Sequence, residues 1–414
     1  MRKSNIKSIK EQYKIIDDWL KHRLEHILPE LMKREKIDMW IVIARENNED
    51  PIFKTLIPAL QRSASRLSCL VFSLDDEGLD CISLSRPTPL LDKFYRQEWN
   101  VKEESQWDCL RRLVTEREPL KIGINISDTF APADGLTKSL YEELANTLGE
   151  PYKNRIVSAE KLSIGWLETR SSLELKTYPE IYKIAIDIIE EAFSLKVIVA
   201  NETTTDDVEW WIMEKINELG LTPWFTPTID LQRKGNENNR ITNTVINHGD
   251  LLHCDVGIHY LGLATDTQRL AYVLKPGEKS APTGIKEALR VGNVFQDIVA
   301  ENFIAGCTGN EIFNASLREA ENREIKAMLY THPIGYHGHG VGPTIGMWDQ
   351  QGEVPIRGEY PLFFNTCYAL ELNTTSMVPE WDNKEVAIFL EETIAFTRKG
   401  VSYLPNRQTE LYII

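Results

Sequence analysis

The sequence predicts an α/β domain at the N-terminus and an α+β domain with a pseudo-two-fold internal repeat at the C-terminus. Up to about residue 150, strand-like apolar runs alternate with helical stretches. Beyond about residue 173, the same order of helices and extended segments occurs twice. The length of 414 residues suffices for two or three domains. We therefore predict one domain over residues 1–165 and a second over 166–414.

The predicted N-terminal domain contains four strand-like runs, at residues 39–44, 67–74, 80–85 and 121–127. Each run is short, rich in β-branched or aromatic residues, and bounded by polar segments. The domain has no cluster of histidine, cysteine and acidic residues, and no glycine-rich phosphate loop. We expect it to serve structure or assembly, with the chemistry in the second domain.

The repeat in the second domain begins each time with a long amphipathic helix, predicted at about 173–199 and again near 284–304. A threonine-capped helix follows in both copies, and we expect Thr205 and Thr308 to be the caps. Acidic or polar residues after each threonine suit the exposed amides and the positive dipole end of a helix. A two-fold repeat of this kind often brings matching ligands to a shared centre.

Composition excludes several classes of function. The net charge of −15 disfavours nucleic acid or an anionic membrane surface as a partner, and no apolar run approaches the roughly 18 residues of a membrane helix. The basic start leads directly into an amphipathic pattern without the apolar core of a secretion signal, so we expect a cytoplasmic protein. Six cysteines without a CxxC pair indicate reduced thiols.

Two aspartates in the second domain flank a predicted hairpin. Asp255 and Asp266 are eleven residues apart (266 − 255), with a turn expected around 260–263. Carboxylates on the two strands of a hairpin can face one site. Strand alternation points the neighbouring Cys254 to the opposite face, so we do not expect it to be a ligand.

A histidine and two glutamates extend this pattern. His339 lies between two glycines, which let the backbone approach a site closely, although His332 and His337 compete for the same role. Glu371 and Glu391 each lie within an apolar strand-like run, where an isolated ionised carboxylate is costly to bury. Glu392 follows Glu391 directly, so we expect its side chain to point to the other face of the strand and to be structural.

The five residues form a chemically matched set of ligands: Asp255, Asp266, His339, Glu371 and Glu391. Four carboxylates and one neutral imidazole carry a charge of about −4, which two divalent cations would cancel. Without metal, carboxylates meeting in one pocket would repel each other, and would protonate or move apart.

The order D-x10-D, GHGVG, a strand glutamate and a final Glu-Glu pair resembles the creatinase and aminopeptidase P superfamily over nearly the whole chain. The resemblance implies a "pita-bread" catalytic domain and carries the five ligands over to the residues above, with Asp266 and Glu391 bridging two metal ions. It implies an Xaa-Pro aminopeptidase or prolidase that cleaves the N-terminal bond of a peptide or dipeptide by a metal-bridging hydroxide. It also implies a homodimer.

The expected cofactors are two divalent ions. Four oxygen ligands to one nitrogen favour Mn²⁺, although Co²⁺, Zn²⁺ or Fe²⁺ could occupy the pocket. The resemblance makes Glu371 the proton shuttle, and we include His332 and His337 as further catalytic candidates.

Several positions depart from the family pattern. Supporting histidines of the family are replaced by three residues, Gly335, Gly346 and Asn238, an arginine by Phe389, and a proline by Leu372. Proline specificity is therefore open. His332, His337 or Trp348 could take over these duties. Two alternatives also stay open: a metal-dependent hydrolase of a non-peptide C–N bond, and a metal-binding pseudoenzyme.

Overall fold

The computed structural model describes residues 6–405 and 407–414, which form two compact units over Lys7–Ser171 and Ser172–Ile414. The sequence-based boundary between 165 and 166 falls inside a helix, Glu160–Glu168, that packs within the first unit. Among the described residues, the first unit has one sheet and the second unit has two.

The first unit contains six α-helices and six strands among its described residues: α1 (Ile9–His26), α2 (Leu28–Glu35), β1 (Met39–Arg45), α3 (Pro51–Leu56), β2 (Leu67–Asp75), β3 (Gly78–Ser83), β4 (Arg96–Gln97), α4 (Gln106–Arg117), β5 (Ile122–Ile124), α5 (Lys138–Leu148), β6 (Ile156–Ser158) and α6 (Glu160–Glu168). Its sheet has the order β4-β3-β2-β1-β5-β6. The central strand β1 is antiparallel to β2 and parallel to β5, and its apolar residues pack in a core with α4 and α5.

The second unit opens with α7 (Ser172–Ala192) and α8 (Thr205–Glu218). The rest of its first half comprises β7 (Thr222–Pro223), β8 (Thr228–Gln232), β9 (Leu251–Val256), β10 (Ile258–Tyr260), β11 (Leu263–Ala264) and β12 (Thr267–Tyr272). Its second half comprises α9 (Thr283–Glu301), α10 (Gly309–Asn322), β13 (Lys326–Leu329), β14 (His332–Pro333), β15 (Thr366–Val378), β16 (Lys384–Thr397), β17 (Gly400–Tyr403) and β18 (Tyr412–Ile413).

The main sheet of this unit reflects the predicted repeat. Its main path is β13-β15-β16-β12-β9-β8, with three strands from each half after two helices. Three further strands of the second half, β14, β17 and β18, pair with β15, β16 and β12. The halves meet where β12 pairs with β16, at Gln268 opposite Glu391. Large apolar side chains from α9, β15 and β16 share one core beneath the sheet.

Two details of the helices differ from the sequence-based expectation. Thr204, not Thr205, caps α8, because its hydroxyl accepts from the amide of Asp207, whose carboxylate in turn accepts from the amide of Thr204. The predicted helix over 173–199 ends at Ala192. Just beyond Ala192, the Ser194 hydroxyl donates to the Glu191 carbonyl and accepts from the amide of Lys196. These bonds satisfy backbone groups without continuing the helix. Thr308 caps α10 as expected.

Within the described residues, no helix combines the length and apolarity needed to cross a bilayer.

Candidate metal centre

Strand register brings the predicted acids into one row across the main sheet. Asp255 on β9 lies opposite Gln268 on β12, Gln268 lies opposite Glu391 on β16, and Glu391 lies opposite Glu371 on β15. Residues opposite each other on neighbouring strands have side chains on the same face. Asp266 immediately precedes β12 and joins the same face two positions away from Gln268. The sheet therefore gathers four carboxylates at its centre.

The ligand atoms of this cluster lie close enough to hold metal ions. Three triads have ligand atoms within 4.8 Å of one another: Asp255, Asp266 and Glu391; His332, Glu371 and Glu391; and Asp266, His332 and His339. Asp266 and Glu391 each belong to two triads. The three candidate sets of ligands therefore overlap.

His332 lies deeper in the cluster than His339. Its Nε2 is 3.6 Å from an oxygen of Asp266, 3.6 Å from one of Glu391 and 3.9 Å from one of Glu371. The His339 ring packs edge-on against His332, with centroids 4.7 Å apart, and its residue is exposed. Among the described residues, His337 belongs to none of the three triads, and its carbonyl accepts from the amide of Gly335.

Several polar atoms of the cluster are buried without a hydrogen-bond partner. They are Asp255 Oδ1, Asp266 Oδ1, His332 Nε2, Glu391 Oε1 and Glu391 Oε2. Buried polar atoms ordinarily find partners, and leaving one unpaired costs roughly 1–3 kcal/mol. Hard oxygen donors and an imidazole nitrogen that converge in this way fit divalent cations, which would satisfy all five atoms together.

The electrostatics of the metal-free cluster agree with this reading. Burial, reinforced by the neighbouring carboxylates, raises the pKa values of Asp266 and Glu391 well above their ordinary range. Burial and Asp255 raise the pKa of Glu371 to about 8, and burial raises the pKa of Asp255 to about 6. Burial beside His339 lowers the pKa of His332 to about 3, so its imidazole is neutral and able to coordinate.

A hydrogen-bonded chain supports Glu371 from behind. The Gln268 amide nitrogen donates to Glu371 Oε1 at 2.6 Å, and its oxygen lies 3.0 Å from His253 Nε2. His253 Nδ1 lies 3.1 Å from Asp230, which also accepts from Arg240. Burial opposes the charge on Asp230, yet His253 and Arg240 hold its pKa below its ordinary range.

Glu392 lies on the other face of β16, as strand alternation predicts. Its carboxylate accepts from Arg269 at 2.7 Å, from the Tyr182 hydroxyl at 2.9 Å and from the amide of Gln408 at 2.7 Å. Both members of the Arg269–Glu392 pair are almost fully buried. Glu392 is thus a structural anchor, satisfied without metal.

One of the positions that depart from the family pattern, Gly346, has a local explanation. Gly346 has φ +72°, and a Cβ there would meet the Leu329 carbonyl at 2.1 Å, so a histidine does not fit. Asn238 accepts from the amide of Arg240. The ring of Trp224 packs at 5.0 Å from His339, whereas Trp348 is exposed.

Comparison with known proteins agrees with the site. Residues 180–398, more than half of the chain, match metallopeptidase family M24. The chain belongs to this family. The M24 match covers the whole cluster of carboxylates and histidines described above. The predictions of the superfamily and of a metallopeptidase family are confirmed.

Two solved M24-like structures share the fold. An X-Pro aminopeptidase from Thermotoga maritima aligns with a TM-score of 0.65 at 16% identity, covering 93% of this chain and 100% of that one. An Xaa-Pro dipeptidase from Bacillus anthracis aligns with a TM-score of 0.62 at 16% identity, covering 98% and 100%. The two-domain pita-bread architecture is confirmed.

One curated relative matches over part of its length. A Mycoplasma genitalium protein named "Putative Xaa-Pro aminopeptidase" is 29% identical over 168 residues, 39% of this chain and 44% of that protein. The match therefore spans less than half of that relative.

Sequence reasoning missed the chain of Gln268, His253, Asp230 and Arg240. A signal was present, because His253 precedes Asp255 by two residues and Gln268 follows Asp266 by two. In strands, residues two apart share a face, so both polar residues point to the same side as the aspartates. The contribution of Arg240 comes from a loop and leaves no such periodic trace.

Proposed function

We propose that this M24 protein is a dinuclear metal-dependent peptidase of the Xaa-Pro aminopeptidase and prolidase type, cleaving the N-terminal bond of peptides or dipeptides. The observation that carries the proposal is the row of four acids on neighbouring strands, three of which, Asp255, Asp266 and Glu391, have buried oxygens without a hydrogen-bond partner. The names of the relatives support the substrate class.

Two ligand sets follow from the geometry. Asp255, Asp266 and Glu391 would hold one ion, and His332, Glu371 and Glu391 the other, with Asp266 reaching both. His332 rather than His339 is our choice for the nitrogen ligand, since its Nε2 is buried, unpartnered and near three carboxylates. His339 then stands beside the site together with Trp224. Mn²⁺ remains the ion we propose.

Two such ions would supply an activated water and a polarised scissile carbonyl. The chain's own residues then have distinct tasks. Glu371 is our candidate for the proton shuttle toward the leaving amine, as the family resemblance implies, and Gln268 fixes its Oε1 by donating a hydrogen bond to it. His339, exposed and backed by Trp224, is placed to donate a hydrogen bond to the substrate.

A peptide panel with and without Mn²⁺ tests this proposal. We expect manganese-dependent cleavage of Xaa-Pro substrates and a loss of roughly 100-fold or more in kcat/KM for Asp266→Asn, because direct ligands should exceed the 10–100-fold effect of outer partners. Full activity of Asp266→Asn would contradict the two-ion site.

The same panel separates the alternatives. Cleavage of small amides but of no peptide would favour a hydrolase of non-peptide C–N bonds. Stoichiometric metal without turnover of either class would favour a metal-binding pseudoenzyme.

A further inference from the structure

The first unit contains a groove that the metal centre does not use. Its volume is about 790 Å³, and its walls come from α1, α2, the β2–β3 hairpin and the segment just before β4. All of the lining residues belong to the unit Lys7–Ser171. Sites for small ligands typically have volumes of about 300–1,000 Å³, so this groove has room for one.

Apolar side chains form part of the lining. They are Leu24, Leu74, Leu79, Cys81 and Phe94. Leu24 is buried, whereas the other four are half-buried. Burial raises the pKa of the Cys81 thiol to about 12, so this side chain stays neutral. The groove therefore offers an apolar surface that a ligand would remove from water.

One edge of β3 is open along the same groove. β4 pairs with Ile82 and Ser83, and no strand of the described residues lies beside residues 78–81 on that side. The Ser83 carbonyl, on the outer side of β3, accepts from the amide of Glu98. Because backbone groups alternate between the two sides of a strand, Leu79 presents its N–H and C=O to the outer side as well. An unpaired edge of this kind is a template for an extended chain.

Most of the charged side chains along the groove already have partners. The pairs are Lys21–Glu25 at 3.9 Å, Lys33–Glu30 at 3.6 Å and Asp75–Arg117 at 3.4 Å. Lys93 and Asp76 also line the groove, and both are exposed. Neither of them belongs to an ion pair within the part of the chain that the structure describes. One cation and one anion are therefore left for a ligand that carries both charges.

We propose that this groove binds a short peptide with free termini, which lies along the open edge of β3 as an added strand. One of its residues exchanges main-chain hydrogen bonds with Leu79, and an apolar side chain packs beside Cys81 and Phe94. The peptide's ammonium group pairs with Asp76 and its carboxylate with Lys93. An extended chain spans about 3.3 Å per residue, so a tripeptide covers the open part of the edge. This site lies in the first unit and does not depend on the peptidase function proposed above.

The test uses the full chain in a chelator, so that no peptide is hydrolysed, and follows binding by ligand-observed NMR. We expect alanyl-leucyl-alanine to bind about 4–16-fold more tightly than its N-acetylated, C-amidated form, because the blocked peptide loses two exposed ion pairs. Lys93→Gln and Asp76→Asn should each weaken the free peptide about 2–4-fold and leave the blocked one unchanged. Lys102→Gln is the matched control, since this exposed lysine of the same unit lies outside the groove.

Amide hydrogen exchange, measured by mass spectrometry, locates the bound peptide. Alanyl-leucyl-alanine should slow exchange in the segment 78–81, because the Leu79 amide gains a partner. Slower exchange only in strands of the second unit would place the peptide at the carboxylate cluster and refute the groove. Equal binding of the free peptide by the wild type and Lys93→Gln would refute the ion pair with its carboxylate. Tighter binding of the blocked peptide would also refute the proposal and would indicate an internal segment of a partner protein.

Discussion

At the scale of single residues, His332 is more deeply buried in the cluster than His339. We therefore expect their substitutions to differ in the loss of bound metal and of activity. His332→Ala removes a buried nitrogen that lies near three carboxylates, so we expect the protein to bind one Mn²⁺ in place of two and to lose roughly 100-fold or more in kcat/KM. His339→Ala removes an exposed ring at the side of the cluster, so both ions should still bind. Metal content after dialysis, measured by atomic emission, distinguishes the two variants.

The reverse result would restore the expectation drawn from the sequence. If His339→Ala lost an ion and His332→Ala kept both, the GHGVG histidine would be the ligand. Folding of both variants should be checked by circular dichroism, because His332 pairs through its backbone with Ala369 on β15.

At the scale of elements, the threonine caps of the repeat predict a matched pair of stability losses. Thr204 and Thr308 each form a capping box with an acid three residues later. We expect Thr204→Ala and Thr308→Ala each to lower the free energy of unfolding by about 1 kcal/mol, or Tm by about 2–4 °C. Calorimetry would measure both shifts.

Thr177→Ala provides the control within the same unit. Its hydroxyl bonds back to the Leu173 carbonyl inside α7 and caps nothing. Alanine is the better helix former, so this change should be neutral or slightly stabilising. A loss equal to that of Thr308→Ala would show that the caps have no special role.

The sequence predicted the elements well where a periodic pattern governs them. The acids on β9, β15 and β16 were found because a carboxylate in an apolar strand needs a partner. The sequence favoured His339 as the nitrogen ligand. The position of His332 near the acids could not be predicted, since it has no periodic trace and depends on the pairing of β14 with β15. Arg240 was missed for the same reason, because the loop after β8 folds back by non-local contacts.

At the scale of the whole molecule, the cluster makes stability depend jointly on pH and metal. Glu371 has a pKa of about 8 when folded and 4.5 ordinarily, so the metal-free folded protein holds a proton that the unfolded chain releases. Its stabilising effect is complete below about pH 4.5 and is lost as pH rises through 8. The pKa of His332, lowered from 6.5 to about 3, acts in the opposite direction, because the folded protein favours the neutral imidazole. This stabilising effect is already complete above pH 6.5.

Between pH 6.5 and 8, therefore, Glu371 favours a fall in stability, and so do two other groups with raised pKa values: Glu168, raised to about 8 by burial in the first unit, and His253, raised beside Asp230 against the effect of its burial. We expect the Tm of the metal-free protein, measured by calorimetry in a chelator, to fall by several degrees over this interval, since one pKa unit corresponds to about 1.4 kcal/mol. With Mn²⁺ the fall should disappear, because the ligands bind metal in their deprotonated form and affinity rises with pH. Glu371→Gln should make the metal-free fall smaller, because one of the groups with a raised pKa is then absent. A metal-free protein that became more stable from pH 6.5 to 8 would mean that the acids are not held together in the folded state.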